Sequence, residues 1–273
     1  MDTKARVRQD FAARFGRQPA VVARAPGRLE ILGNHTDYNE GFALSCAVDR
    51  STCFAAGPAA GTACRLYDSR EDAAVQFDIA AIGPAEPGAW QNYILGVIVE
   101  LQRRGHKIAA FDAVLHSELP MSSGMSSSAA LEISAALAIG QLSGIDLSPA
   151  EWARVGQASE NNYVGANTGL LDQTSSIMGK AGQFVHIDFR DLSVKTCPVP
   201  DGAVIVIANS GVKHDLTQDY NERRERCEEA ARALGVPFLR DADLADLNKK
   251  RAALSETAYR RALHIIGEND RVD

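Results

Sequence analysis

No Gly-Lys-Ser/Thr sequence closes a glycine-rich loop in this 273-residue chain, and no two glycines stand two residues apart. Neither a Walker loop nor a Gly-x-Gly-x-x-Gly dinucleotide fingerprint is therefore available. The five cysteines, Cys46, Cys53, Cys64, Cys197 and Cys227, are odd in number, scattered and without a Cys-x-x-Cys pair. That pattern argues against a disulfide framework and a zinc site, and it suits a reducing cytoplasm. No apolar run approaches the roughly 18 residues of a membrane span, and MDTKARVRQDFAARF lacks an apolar leader core, so the expected protein is neither secreted nor embedded. Lysine and arginine form no long block and the net charge is only −6, which leaves nucleic acid and anionic membrane without an electrostatic footprint. Small molecules are the expected partners.

With 45% hydrophobic residues, the length suffices for one large domain or two modest ones with a real core. Val7, Phe11 and Phe15 recur every four residues and predict an N-terminal helix ended by Gly16. AVVAR, FALSCAVDRSTCFAA, CRLYDS, AVQFDI, FDAVLHSEL, QFVHIDFR and AVIVIANS read as strands. Helices are expected from Trp90 to about Arg104, over AALEISAALAIGQL up to Gly144, and from the capping box Ser148-Pro149-Ala150-Glu151 toward Tyr163. GLLDQTSSIMG, TQDYNERRERCEEAARALG, Leu244 to Leu254 and Glu256 to Gly267 complete the helical set. The absence of a regular βαβ rhythm predicts an α+β fold.

Three segments carry candidate chemistry. In PMSSGMSSSAALE a strand feeds a loop of small residues and then a helix N-terminus, which offers unpaired N–H groups and the positive end of a helix dipole to phosphate. A plain serine-capped helix is the alternative. Glu160 and, twelve residues on, Asp172 suit a metal ligand and a base for phosphoryl transfer to a hydroxyl, or else a solvated helix residue and a helix cap. In GRLEILGNHTDYNEG, Arg28, Asn34, His35 and Asp37 gather donors and acceptors fit for a polyhydroxylated ligand; an Asx turn with a solvent-facing histidine is the other reading.

Together these segments resemble the galactokinase branch of the superfamily that also contains homoserine, mevalonate and phosphomevalonate kinases. GRLEILGNHTDYNEG resembles the signature Gly-Arg-Val-Asn-Leu-Ile-Gly-Glu-His-Thr-Asp-Tyr-Asn-x-Gly, PMSSGMSSSAALE the phosphate loop Pro-x-x-x-Gly-Leu-Ser-Ser-Ser-Ala, and GLLDQ the catalytic segment. WQNYILGVIVELQRRG, ENNYVG, SGVKHDLTQDYNERRERC and RRALHIIGENDRV follow in family order. The resemblance implies a two-domain sugar-kinase fold with a ribosomal S5-like N-terminal domain over 1–182. It also implies the start of a C-terminal α/β domain over 183–273, incomplete and with an exposed apolar face.

The implied activity is ATP- and Mg²⁺-dependent phosphorylation of galactose at its anomeric hydroxyl, by a monomer. The same frame accommodates a kinase for an amino sugar or uronic acid, a non-catalytic galactose and ATP sensor, or an inactive fragment. Residue by residue, the resemblance makes Asp172 the base and Arg28 the group that stabilises charge at the reacting centre. A cation beside Asp172 would keep it ionised and also stabilise a developing alkoxide. Ser128 and Glu160 would hold Mg²⁺. Ser122, Ser123, Gly124, Met125, Ser126, Ser127 and Ser128 would cradle the phosphates, with Trp90 near adenine and Ser69 at the nucleotide. Asn34, His35, Thr36 and Asp37, with Tyr220, would contact the sugar. This chain has Glu30 and Asn34 where the signature has Asn and Glu, which implies a shift in recognition near one sugar hydroxyl.

Overall fold

The computed structural model describes residues 2–121, 123–208 and 216–272; side chains of 216–220 lie outside the description. The Cα positions fall into two compact units, one of residues 1–27, 48–165 and 172–177, the other of 28–47, 166–171 and 178–273. The mixture of helices and mostly antiparallel strands is the α+β architecture expected from the sequence.

In the first unit, α1 (Thr3–Phe15) buries Val7 and Phe11 and ends at Gly16, whose φ of 67° suits the left-handed cap. Strand β3 (Ala63–Asp68) pairs antiparallel with β4 (Ala73–Asp78) and parallel with β5 (Phe111–Ser117). The later half of β2 (Phe42–Pro58) runs antiparallel to β5, with Phe54 opposite Leu115. Alternate residues of these strands enter a core of Phe54, Leu66 and Phe111, covered by Ile94 and Ile98 of α2 (Asn92–Arg103) and Leu131 and Ile139 of α3 (Ser127–Ser143). Helix α3 is buried along most of its length, as a helix with apolar residues on every side must be. Helix α4 (Pro149–Ala158) starts at the capping box read from the sequence: the Ser148 hydroxyl accepts from the Glu151 N–H at 3.3 Å, and the Glu151 carboxylate accepts from the Ser148 N–H at 2.8 Å. A π-helical turn, Ser159–Val164, continues it.

In the second unit, Phe42–Ser45 of β2 pair antiparallel with β6 (Gln183–Asp188), which pairs in turn with β7 (Ser193–Pro198). A small core of Ala43, Val185, Ile187 and Phe189 lies there. A separate helical core joins Cys227 and Ala230 of α6 (Leu216–Leu234), Leu247 of α7 (Leu244–Lys249), and Ala258, Ala262 and Ile265 of α8 (Glu256–Val272). The Arg240 guanidinium bonds both carboxylate oxygens of Asp188, the second at 2.9 Å, and donates to the Glu40 carbonyl at 2.8 Å. This fixes the end of the 33–41 turn.

Several elements depart from the sequence reading. Strand β1 (Val21–Leu32), which pairs with β2, extends well past AVVAR and carries Arg28 and Glu30. Helix α2 begins at Asn92, leaving Trp90 before it, and the last part of the Leu244–Leu254 stretch is a 3₁₀ turn, Arg251–Ala253. Strand β7 was invisible in its polar sequence because it pairs on one side with β6 and exposes most of its side chains. No strand forms over 203–208, the described part of AVIVIANS. A strand needs a partner for its ladder, and none pairs with this segment among the described residues; Val204 and Val206 are 83% and 85% exposed.

Candidate active site

In the first unit the strand–loop–helix is built as the sequence implied. Loop 118–126 follows β5 and opens α3. Met125 is buried, Gly124 takes a φ of 75°, and Ser123 donates its hydroxyl to the Pro120 carbonyl at 2.8 Å. Ser122 lies outside the described residues. Gly27 makes the loop's position possible: a Cβ there would lie 2.5 Å from the Met125 carbonyl oxygen and from a Leu119 methyl. Ser127 and Ser128 form the first turn of α3, where N–H groups lack intrahelical acceptors.

Ser126, at the N-cap, has a left-handed backbone (φ 52°) and makes no side-chain capping bond. Its hydroxyl donates to Asp172 Oδ2 at 2.5 Å. Asp172 stands in the first turn of α5 (Leu171–Met178), and the Ser176 hydroxyl anchors that helix to the Pro26 carbonyl at 2.7 Å. The loop and the acid read separately from the sequence are thus joined by one hydrogen bond.

Beside them lies a feature that the sequence reading did not single out. Gln173 is fully buried, and its amide donates to Glu132 Oε2 at 3.0 Å and to Glu160 Oε2 at 3.1 Å. Burial pushes the Glu132 carboxyl well above the ordinary carboxylate range, and the charge of Glu160 adds to that, while the Gln173 bond opposes it. Its signal was a single carboxylate inside the apolar run AALEISAALAIGQL. Glu132 Oε1 and Gln173 Oε1 are buried without a hydrogen-bond partner among the described residues. Carboxyl oxygens are hard donors of the kind Mg²⁺ takes, and it is held by one or two carboxylates together with substrate phosphates. No cluster of three or more His, Cys, Asp or Glu that could hold a metal by itself occurs among the described residues. Trp90 is half-buried against the main core, and the Ser69 hydroxyl lies 3.1 Å from His116 Nδ1.

In the second unit, Arg28 is buried on β1, and the turn after it is tightly held. Glu268 of α8 accepts from the N–H groups of Gly33 at 2.9 Å and Asn34 at 3.2 Å. His264 Nε2 lies 2.9 Å from the Asn34 carbonyl, and Asn269 accepts from the Phe42 N–H at 3.0 Å. The Asn34 amide donates to Glu30 Oε2 at 2.8 Å, so the two positions that depart from the signature bond each other.

Thr36 is fully buried, and its hydroxyl is 2.7 Å and 2.6 Å from the carbonyls of Gly33 and Phe42, which makes it a closure of the turn. Asp37 accepts from the Tyr38 N–H at 3.0 Å and the Leu171 N–H at 3.4 Å. Only glycine fits opposite it, because a Cβ on Gly169 would stand 1.8 Å from Asp37 Oδ2. Arg223 Nη1 lies 2.9 Å from His35 Nε2. A guanidinium only donates, so Nε2 accepts and the ring proton sits on Nδ1. Burial first, then the charges of Arg223, His264 and Arg261, lower the His35 pKa to about 4. Tyr220 lies on α6, with its side chain outside the described residues.

A helix-opening serine loop bonded to an acid is the arrangement that the resemblance to the galactokinase and mevalonate kinase superfamily implies. The model of the GHMP kinase N-terminal domain matches residues 92–180, and the galactokinase galactose-binding signature matches 9–58. The chain belongs to the galactokinase family. It is 42% identical over 271 residues to a galactokinase of Actinobacillus pleuropneumoniae, covering 97% of this chain and 70% of that enzyme. A galactokinase of Glaesserella parasuis is likewise 42% identical, with 96% and 70% covered. Among solved structures, Lactococcus lactis galactokinase complexed with galactose superposes with a TM-score of 0.84 at 26% identity, over 97% of this chain and 71% of that one. The mevalonate kinase of Methanococcus jannaschii, at 16% identity and a TM-score of 0.55 over 93% and 73% of the two chains, shares the fold.

Proposed function

We propose that the protein transfers the γ-phosphoryl group of ATP to the anomeric hydroxyl of galactose, giving galactose 1-phosphate and ADP. The observation that carries this reading is the 2.5 Å bond from Ser126, at the mouth of α3, to the Asp172 carboxylate. It couples the start of α3 to the acid assigned here to take a hydroxyl proton. Asp172 receives the proton of the sugar O1 as the new O1–P bond forms and the bond to the ADP oxygen breaks. Arg28 offsets charge on the developing alkoxide, and the N–H groups opening α3 hold the phosphates. Asn34, His35 and Asp37, with Tyr220, orient the sugar, so that positioning supplies much of the rate.

Glu160 and Ser128 are the residues that would hold Mg²⁺, whose charge would neutralise the β- and γ-phosphates. Trp90 and Ser69 serve the nucleotide. In this reading residues 1–182 form the sugar- and nucleotide-binding domain, and 183–273 the beginning of a C-terminal domain. Five free cysteines, four of them buried, suit a reducing cytoplasm. Among the described residues no helix is long and apolar enough to cross a membrane.

The test is ADP release on adding galactose, with ³¹P NMR of the product. An anomeric phosphate coupled to H1 is expected. A phosphate at another carbon, or binding of galactose without ADP release, would overturn the assignment, the latter in favour of a sensor.

A further inference from the structure

We infer that Gln173 is a positioning residue for Glu160: its amide, anchored on Glu132, holds the Glu160 carboxylate in one orientation for a divalent cation. This rests on the reading of Glu160 as a side chain that would hold Mg²⁺, and it names what places that side chain.

A primary amide has two hydrogens, and those of Gln173 go to two different acids, Glu132 Oε2 at 3.0 Å and Glu160 Oε2 at 3.1 Å. All three side chains are buried. Each stands on a different element: Glu132 on α3, Glu160 on the π-helical turn, and Gln173 in the first turn of α5, directly after Asp172. Ser128 lies one turn before Glu132 on the same face of α3. The Gln173 amide therefore joins the helix that carries Ser128, the turn that carries Glu160 and the helix that carries Asp172.

The surroundings leave that amide little choice of place. A Cβ on Gly156 of α4 would stand 2.8 Å from Gln173 Cγ and 3.3 Å from Glu132 Oε2, so glycine makes the room in which the two groups meet. The backbone at Glu160 is held as well: the neighbouring Ser159 hydroxyl donates to the Tyr93 carbonyl at 3.0 Å, and Gly96 of α2 has no room for a Cβ beside that hydroxyl.

Stability alone does not account for the arrangement. Glu132 Oε1 and Gln173 Oε1 are buried without a hydrogen-bond partner among the described residues, and buried polar atoms left unpaired oppose folding. Apolar side chains of similar volume would avoid that cost. What the trio provides is a fixed carboxylate, which is the role that hydrogen-bond partners of a ligand play at cation sites.

Substitutions in the full chain test this. The readouts are the Mn²⁺ dissociation constant by electron paramagnetic resonance with a non-hydrolysable ATP analogue present, galactose Kd by calorimetry, and melting temperature. Gln173→Met, which keeps the length and removes both donors, should weaken Mn²⁺ about tenfold, with galactose Kd within about twofold. Gly156→Ala, which displaces Gln173 and alters none of the three polar groups, should weaken Mn²⁺ in the same direction. Glu132→Met should behave like Gln173→Met, whereas Glu132→Gln, which keeps an acceptor for the amide, should recover most of that loss. Parental Mn²⁺ affinity in both Gln173→Met and Gly156→Ala would overturn the inference. So would equal losses in Glu132→Met and Glu132→Gln, or losses that merely track a fall in melting temperature. Parental Mn²⁺ affinity in Glu160→Gln would overturn it together with the assignment of Glu160. A parent that binds Mn²⁺ and galactose without phosphorylating the sugar overturns the proposed function, while the Mn²⁺ series still decides the role of Gln173.

Discussion

The hydroxyl of Ser126 donates to Asp172 Oδ2 at 2.5 Å, although Ser126 occupies the N-cap of α3, where a serine side chain ordinarily bonds back to its own helix. The proposed base is therefore oriented by a residue of the phosphate loop. Ser126→Ala should lower kcat about tenfold to a hundredfold, with galactose KM within about twofold, since a charge-assisted bond is removed from the reacting group. Ser126→Gly removes the same hydroxyl and relaxes the left-handed backbone. Equal kinetic losses in both variants would assign the effect to the hydroxyl, and activity retained in the glycine variant would assign it to backbone strain.

Gly27 sets the seat of the same loop. Gly27→Ala forces an atom to 2.5 Å from the Met125 carbonyl oxygen, an overpacking expected to cost about 1–3 kcal/mol. Denaturant unfolding should register that loss, and the KM for ATP should rise more than the KM for galactose. The opposite order would place the loop's strain elsewhere.

His35 makes stability depend on acid. Its folded pKa of about 4 lies below the ordinary 6.5, so the folded state binds the proton less readily than the unfolded chain. The contribution is complete above 6.5 and is lost as pH falls toward 4. Complete loss amounts to about 3 kcal/mol, of which about 2 kcal/mol is gone by pH 5. His35→Gln should lose correspondingly less stability than the parent between pH 7.5 and pH 5 in denaturant titrations; parallel losses would contradict this.

Glu132 works in the other direction. Burial, with the charge of Glu160, raises its folded pKa above the ordinary 4.5, so the folded state keeps the proton longer than the unfolded chain. Its contribution is complete below 4.5 and declines as pH rises toward the folded pKa. Glu132→Gln has no such decline. The variant should melt above the parent at pH 8, with the difference shrinking toward pH 5; a difference independent of pH would show that the carboxyl does not titrate as described.

The segments that carry chemistry were legible because each is local. PMSSGMSSS, GLLDQ and the Ser148 capping box state their geometry within a dozen residues. The bonds between segments were not legible, because only tertiary closure creates them. Ser126 and Asp172 are 46 residues apart, and Gly33 and Glu268 are 235 apart. Strand β1 was read only as far as AVVAR, yet it continues through Pro26, whose carbonyl accepts from Ser176, and Gly27, the seat for the loop. The Glu30 and Asn34 exchange was visible as two departures from a signature, and only the fold reveals that the two side chains touch.

The central claim is that Asp172 takes the proton of the anomeric hydroxyl. Asp172→Asn keeps the shape and removes the base, so single-turnover phosphorylation of galactose should slow by about 10²–10⁴-fold, with galactose Kd within about twofold of the parent. A variant that retains turnover within a few-fold of the parent would contradict the account.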